Sequence, residues 1–433
     1  MLEAALRELE AVLRELEAAL RELEAALREL EVALRGWKLR AGIPVKSFWR
    51  IHMKKILIFF TAFLLLIPAI FADDAKVMPA LVGRLYAAPI FSFAPGYYDD
   101  DGNYESFSGG SVRLFNLGFA LEFGILNWLT AAVQWVPGWT PWSDITPAVD
   151  LPFAGDYNTN GFGDIFAGAK IQLIGANAPL KSSMLRFALA PGVIIPLPGP
   201  DFEKEFNNAA AGNNATLNNM DKHVFGAGGR FYFDYVINDK FFINFYNETI
   251  FYPIAADLNK AGPTFAGAKM GIPAGIYDSV LSATSNAGMA AAAAGLAQTG
   301  LQNASGEVDY GYRLTFEIEP VFSTFLVDGV QFTAGLPINY RYSPAPKYSV
   351  SNVVENPALE SFGINLESLL LNTLEGEASH VLSINPNLGI FLMRLPLPLE
   401  FKFQYNIPVF GINTNAQHNM TLQIRAYFAF RRS

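Results

Sequence analysis

From Phe115 to Gly124 every odd position is large and apolar (Phe115, Leu117, Phe119, Leu121, Phe123), and every even one is small or polar (Asn116, Gly118, Ala120, Glu122, Gly124). Side chains along a β-strand point alternately to its two faces, so this stretch is greasy on one side and polar on the other. The pattern recurs at 310–322, where Tyr312, Leu314, Phe316 and Ile318 oppose Arg313, Thr315, Glu317 and Glu319. It recurs at 397–409, with Leu399, Phe401, Phe403, Tyr405 and Ile407 against Glu400, Lys402, Gln404 and Asn406, and again at 419–430 around Arg425. Twelve such segments can be traced, at about 81–94, 111–125, 127–139, 162–175, 183–197, 225–237, 240–253, 310–323, 329–343, 378–392, 396–409 and 418–430. A tilted strand needs roughly 9–11 residues to cross a bilayer, whereas a globular strand averages about 5–6. Every one of these segments is long enough to cross.

The connections follow a rule of their own. Only a few residues separate the second and third, sixth and seventh, and tenth and eleventh segments, whereas 95–110, 140–161, 198–224, 254–309 and 344–377 are long. Short turns at one end and long loops at the other characterise transmembrane barrels, and inside lipid only helices and closed barrels satisfy the backbone. The expected fold is therefore all-β: a transmembrane antiparallel up-and-down β-barrel of 12 strands, with 14 as the alternative count. Its turns are periplasmic, its long loops external, and its place is the outer membrane of a diderm bacterium, in contact with outer-membrane lipid. This explains a chain that is 51% hydrophobic but only 16% charged, against about 25% charged in soluble domains.

Two segments precede the barrel. Residues 2–35 repeat Leu-Glu-Ala-Ala-Leu-Arg-Glu with small variations, giving a heptad seam and favourably ordered i,i+4 pairs such as Glu3–Arg7 and Glu10–Arg14. Then Met53-Lys54-Lys55, the apolar run Ile56–Ile67 and a small residue, Ala72, form a secretory signal peptide. Residues 1–52 are read as a heptad-repeat helix and basic linker that extends upstream of the working start, 53–72 as the signal, and 73–433 as the barrel. A coiled coil ahead of an internal anchor is the alternative. Of 31 Lys+Arg and 40 Asp+Glu, 11 and 9 lie before Asp73, leaving 20 and 31, a net of −11. Such a chain does not suit nucleic acid as a partner. It has no cysteine, so disulfides and thiolate metal sites are excluded, and neither a metal nor a cofactor is expected. Trp128, Trp135, Trp139 and Trp142 cluster on the third segment, read as an interfacial aromatic girdle.

Gly161-Phe162-Gly163-Asp164-Ile165-Phe166-Ala167-Gly168-Ala169-Lys170 resembles a recurring strand of outer-membrane transporters of the meta-pathway phenol-degradation group, and Phe123-Gly124-Ile125-Leu126-Asn127-Trp128 resembles their tight periplasmic turn. That group is similar in use to the FadL-type channels for long-chain fatty acids and aromatic hydrocarbons. The resemblance implies a barrel that passes small hydrophobic solutes. FadL-type barrels carry a long amino-terminal hatch, whereas here only about ten residues, Asp73–Val82, precede the first segment. The end of the chain, Tyr427-Phe428-Ala429-Phe430, resembles the strand signal read by the barrel assembly machinery, with Arg431-Arg432-Ser433 beyond it.

Inward positions hold both signs: Glu122, Asp164, Lys170, Arg186, Arg230, Asp234, Glu248, Arg313, Glu317, Glu319, Arg341, Glu400, Lys402 and Arg425. They line either a polar constriction that selects solutes or an ion-pair network that fills the lumen. Two external loops read as partly helical. Leu359, Phe362, Leu366, Leu369, Leu370 and Leu374 fall mostly on one helical face, and Met289–Ala297 is alanine-rich. These would either capture a hydrophobic ligand or pack as a lid on the rim. The histidines after residue 72 (His223, His380, His418) lie in no hydrolytic motif, so no catalytic residues are assigned and no enzyme is expected. The leading function is passive uptake of small hydrophobic or aromatic molecules. A surface barrel with a closed lumen, structural or adhesive and binding external partners through its loops, is the alternative, and an outer-membrane hydrolase a third.

Overall fold

The computed structural model describes residues 75–145, 161–213, 215, 221–374 and 376–430. The heptad segment and export signal expected at 1–72 lie outside these residues. Twelve long strands follow one another: β1 (Val82–Ala94), β2 (Val112–Leu126), β3 (Leu129–Asp144), β4 (Ile165–Ile174), β5 (Leu185–Ile195), β6 (Gly226–Val236), β7 (Phe241–Phe251), β8 (Tyr312–Val327), β9 (Val330–Gly335 continued by Ile338–Ser343), β10 (Ser379–Ile384 continued by Asn387–Leu392), β11 (Leu399–Ile412) and β12 (His418–Ala429). Each pairs antiparallel with its neighbours, and β12 returns to β1 with Tyr427 opposite Arg84 and Thr421 opposite Ile90. The sheet is thereby a closed barrel without edges.

The alternation read from the sequence is the alternation of the wall. On β8, Phe316 and Ile318 are 49% and 48% exposed on the outside, while Glu319 between β8 neighbours on the inside is fully buried. On β11, Phe401 and Phe403 face out, and Glu400 and Lys402 are buried inside. Prolines interrupt β9 at Leu336-Pro337 and β10 at Asn385-Pro386, because proline has no N–H to give the ladder. The wall stays hydrogen-bonded across both breaks: Asn385 N donates to the Pro337 carbonyl at 2.8 Å and Tyr405 N to that of Pro386 at 2.9 Å.

β3 runs to Asp144, beyond the expected end at 139. Its Pro137-Gly138 is absorbed as an irregularity in pairing, with Leu117 opposite Trp139 and Phe115 opposite Trp142, a bulge rather than a stop. Gly138 takes φ +83° there, which an L side chain rarely adopts. The tryptophans accordingly form a stripe along one strand rather than a ring. Trp135 stacks between Phe119 and Phe162, at 6.2 and 6.0 Å, and Trp139 and Trp142 follow toward the external end.

Above the external ends the long loops fold. They supply α1 (Phe202–Ala210), α2 (Leu258–Ala261), α3 (Pro263–Thr284), α4 (Ala287–Leu301), α5 (Pro357–Glu360) and α6 (Leu366–Leu374), with a small sheet of Ala256–Asp257, Ser305–Asp309 and Lys347–Ser351. The sequence reading expected helix at 289–297, where α4 lies, and one helical face over 359–374, which is instead two short helices, α5 and α6, separated at 361–365, where Gly363 takes φ +73°. It did not expect α1 or α3. α3 carries Gly267, Gly271, Pro273 and Gly275, punctuation that argues against a helix, and buries one side while Asp278, Ser279 and Ser282 stay exposed. Its Phe265, Ile276 and Val280 join Ala290, Ala293 and Ala297 of α4 and Leu366 and Leu370 of α6 in one core. The same core continues into Phe166, Ile250 and Tyr252 of the barrel mouth, so the cap is seated on the barrel through apolar contact.

Candidate functional site

The lumen is the candidate site. Its turn end is crossed by the segment that enters β1. Ala75, fully buried, donates its backbone N–H to both carboxylate oxygens of Asp234 (3.1 and 3.2 Å). Met78 N donates to Thr130 Oγ1 at 2.8 Å and Ala80 N to Asn127 Oδ1 at 3.0 Å. Gly124 makes room for this crossing, since a Cβ there would strike the carbonyls of Met78 and Pro79. The short stretch ahead of the first strand therefore crosses the lumen at its turn end. The signal that could have shown this is the glycine itself, at an inward position of a strand.

Near the same end the inward charges pair across strands. Arg84 meets Glu122 at 2.6 Å, Arg425 meets Glu400 at 3.0 Å, and Arg186 meets Asp234 at 3.2 Å, where Asn244 also donates at 2.8 Å. Tyr427 donates its hydroxyl to Glu400, and Asn387 donates to Glu319 at 2.8 Å. Lys170 lies over the ring of Tyr232 at 3.7 Å. A cavity of about 220 Å³ opens among Arg84, Glu122, Glu317, Lys402 and Arg425. Opposite charges at pairing distance stiffen this part of the lumen, and the cavity between them is polar.

Toward the external ends the balance changes. Glu248 accepts from two guanidinium groups, Arg230 at 2.7 Å and Arg313 at 3.0 Å, with the Tyr246 hydroxyl donating at 3.1 Å. Arg230 also donates to Gln134 at 2.7 Å and lies over Phe166 at 4.1 Å. Asn339 donates to Glu317 at 3.1 Å. Arg341, opposite Thr315, faces the interior and is exposed to it. Lys222, from the loop that follows α1, enters beside this group with its ammonium over Tyr310 at 3.4 Å. Sequence reasoning missed Lys222 because it lies in a loop with no period.

Asp164 departs from the expected inward pairing. It lies between strand segments, buried, and its carboxylate accepts from Leu197 N at 2.9 Å and His223 N at 3.1 Å. It ties down the loop after β5. His380 and His418 sit beside the hydroxyls of Tyr340 (2.6 Å) and Tyr405 (3.0 Å). Among the described residues no three His, Cys, Asp or Glu stand together as metal ligands. Of the loop candidates, Leu359, Leu366, Leu370 and Leu374 are buried in the cap core, while Phe362 and Leu369 are exposed at 44% and 36%. The cap is stapled by Lys269, whose buried ammonium donates to Glu203 of α1 at 3.1 Å and to the Gln302 and Ala304 carbonyls after α4 at 3.3 and 3.1 Å.

No family model matches the sequence, and no curated protein matches it at a significant level. Among solved structures the chain is similar to the COG4313 outer membrane channel from Pseudomonas putida F1, at 9% identity with a TM-score of 0.49 over 83% of this chain and 100% of that one. It is also similar to the P. putida toluene transporter TodX (8% identity, TM-score 0.33, 82% of this chain and 92% of that one). A Pseudomonas aeruginosa FadL homologue is similar at 9% identity, with a TM-score of 0.29 over 81% of this chain and 90% of that one.

Proposed function

We propose that this chain is an outer-membrane channel for passive uptake of small hydrophobic or aromatic molecules. One observation carries the reading: the wall is closed and apolar outside, yet its charged interior leaves a polar cavity of about 220 Å³ beneath an apolar cap. Space left among interior charges holds water and can admit a small polar group, whereas a barrel with only a structural task can pack its interior shut. Apolar surface at the mouth would concentrate a solute, and convergent polar groups below would orient it.

The closed-lumen reading has its own support, because the Ala75–Leu81 segment crosses one end and the cap covers the other. The two readings differ in what a cell experiences. Cells carrying the full chain are expected to take up a labelled monoaromatic solute faster than cells without it, with uptake rising linearly with solute concentration as passive passage requires. Equal uptake in both would favour the closed surface barrel.

A further inference from the structure

Four cations (Arg230, Arg313, Arg341 and Lys222) converge under the cap with three carboxylates, Glu248, Asp221 and Asp164, about them. Arg230 and Arg313 share the single carboxylate of Glu248. Arg341 has those same groups for company: its charged neighbours are Arg313 and Glu248, with the phenols of Tyr246 and Tyr252 beside them. Among the described residues it makes no ion pair. Lys222 makes none either, and the charges that act on it are Arg313 and Asp221. The Asp221 carboxylate is engaged by backbone, accepting from Asp164 N and Lys222 N at 3.0 Å each.

Two further donors at this place are unused. Arg313 Nε and the Tyr252 hydroxyl are buried with no hydrogen-bond partner. Buried donors are almost always satisfied, and a guanidinium left short of acceptors costs more than a neutral group. Aromatic rings frame the donors: Tyr252 and Tyr310 meet edge to face at 6.0 Å. Excess positive charge, unused N–H and O–H donors and aromatic rings therefore coincide at the mouth end of the lumen.

We propose that this cluster is a binding site for the carboxylate of a small aromatic acid, held by Arg341, Arg313, Lys222 and the Tyr252 hydroxyl. A planar two-oxygen anion matches the fork of a guanidinium, and a single negative charge offsets the local excess. The partly exposed ring of Tyr310 borders the apolar body on the side that Lys222 leaves free. This deepens the channel reading and rests on it, because the solute must enter the lumen to reach the site.

Binding of labelled benzoate to the full chain in detergent micelles tests the site apart from transport. Saturable binding is expected, weakened about tenfold or more by Arg341→Gln, partly restored by Arg341→Lys, and weakened severalfold by Tyr252→Phe, which keeps the charge and the ring. Benzyl alcohol, of the same shape without the charge, should not compete, and neither should inorganic phosphate. The assignment is overturned if benzoate does not bind saturably, if Arg341→Gln and Tyr252→Phe bind it as the parent does, or if benzyl alcohol or phosphate competes equally. Loss of aromatic uptake by cells with benzoate binding intact would instead remove the channel reading and leave the site.

Discussion

The backbone N–H of Ala75 is held by the carboxylate of Asp234, 159 positions away in the sequence, at 3.1 and 3.2 Å. Asp234 is fully buried and also receives Arg186 and Asn244. One inward residue of β6 thus anchors the entering chain across the turn end of the lumen. Asp234→Ala removes the acceptor of three donors, at a cost of about 1–3 kcal/mol for each group left unpaired. Hydrogen exchange at 75–80 is expected to quicken strongly while exchange in β6 changes little. Unchanged protection at 75–80 would show that Asp234 does not hold the segment.

Glu248 balances two arginines from neighbouring strands. Glu248→Gln keeps the shape but leaves Arg230 and Arg313 without a counter-charge. Breaking a buried pair from one side costs about 3–5 kcal/mol, so the heat-modified shift of the barrel on gels should occur at a clearly lower temperature. The same variant should raise anion over cation permeability, read as a shift in reversal potential under a salt gradient.

Burial first, and then the Arg313 guanidinium, push the Lys222 ammonium down to about 8 from 10.5, against the opposing pull of Asp221. The groups facing it are Arg313, Asp221, Tyr252 and Tyr310. Between these two pH values the unfolded chain binds the proton and the folded chain has lost it, so this lysine makes stability rise with pH across that interval. Anion attraction moves the other way, since the charge disappears as pH passes about 8. Benzoate affinity should therefore fall between pH 7 and 9.5, and the fall should be smaller in Lys222→Met. A profile identical in both proteins would contradict the role of Lys222.

Leu366 and Leu370 are fully exposed to no solvent, in the shared core of the cap. Truncating either to alanine should cost about 2–5 kcal/mol. The loss should appear as faster exchange across α3, α4 and α6, reaching the wall only at the mouth, where Phe166, Ile250 and Tyr252 join the cap core. Uniform loss across cap and wall would mean that the two unfold as one unit.

On the outside of the wall, Phe316→Arg should be resisted at assembly. An arginine facing lipid near mid-strand costs about 2–4 kcal/mol, and Phe316 lies well inside β8, 49% exposed. Glu317→Gln, one position along and facing in, should assemble normally. Equal yields of the two variants would contradict the assigned faces.

The wall was legible because a strand's period of two leaves a direct mark: Phe316 and Ile318 against Glu317 and Glu319 can be assigned to faces without any structure. Even the prolines of β9 and β10 did not hide it, since the alternation resumes beyond each. What stayed hidden depended on contacts between distant parts. Nothing local at Ala75 points to Asp234. α3 looks like a loop because its glycines and Pro273 are tolerated only by packing against α4 and α6. Asp164 read as an inward strand residue, but its neighbours Leu197 and His223 come from a loop whose path the sequence does not reveal. For the same reason the charges at Arg230, Glu248, Arg313 and Arg341 could be placed inside, while their imbalance could not.

The proposed uptake requires that the polar interior open as a route for small solutes through the membrane. The chain contains no cysteine, so a single introduced thiol reports one position cleanly. Asn339 faces the lumen beside Glu317, and Tyr340 faces the other side, beside His380. With the full chain in a planar bilayer, stepwise conductance is expected, and a charged, water-soluble thiol reagent should alter it in Asn339→Cys but not in Tyr340→Cys. Absence of conductance, or the same response from both variants, would contradict the account.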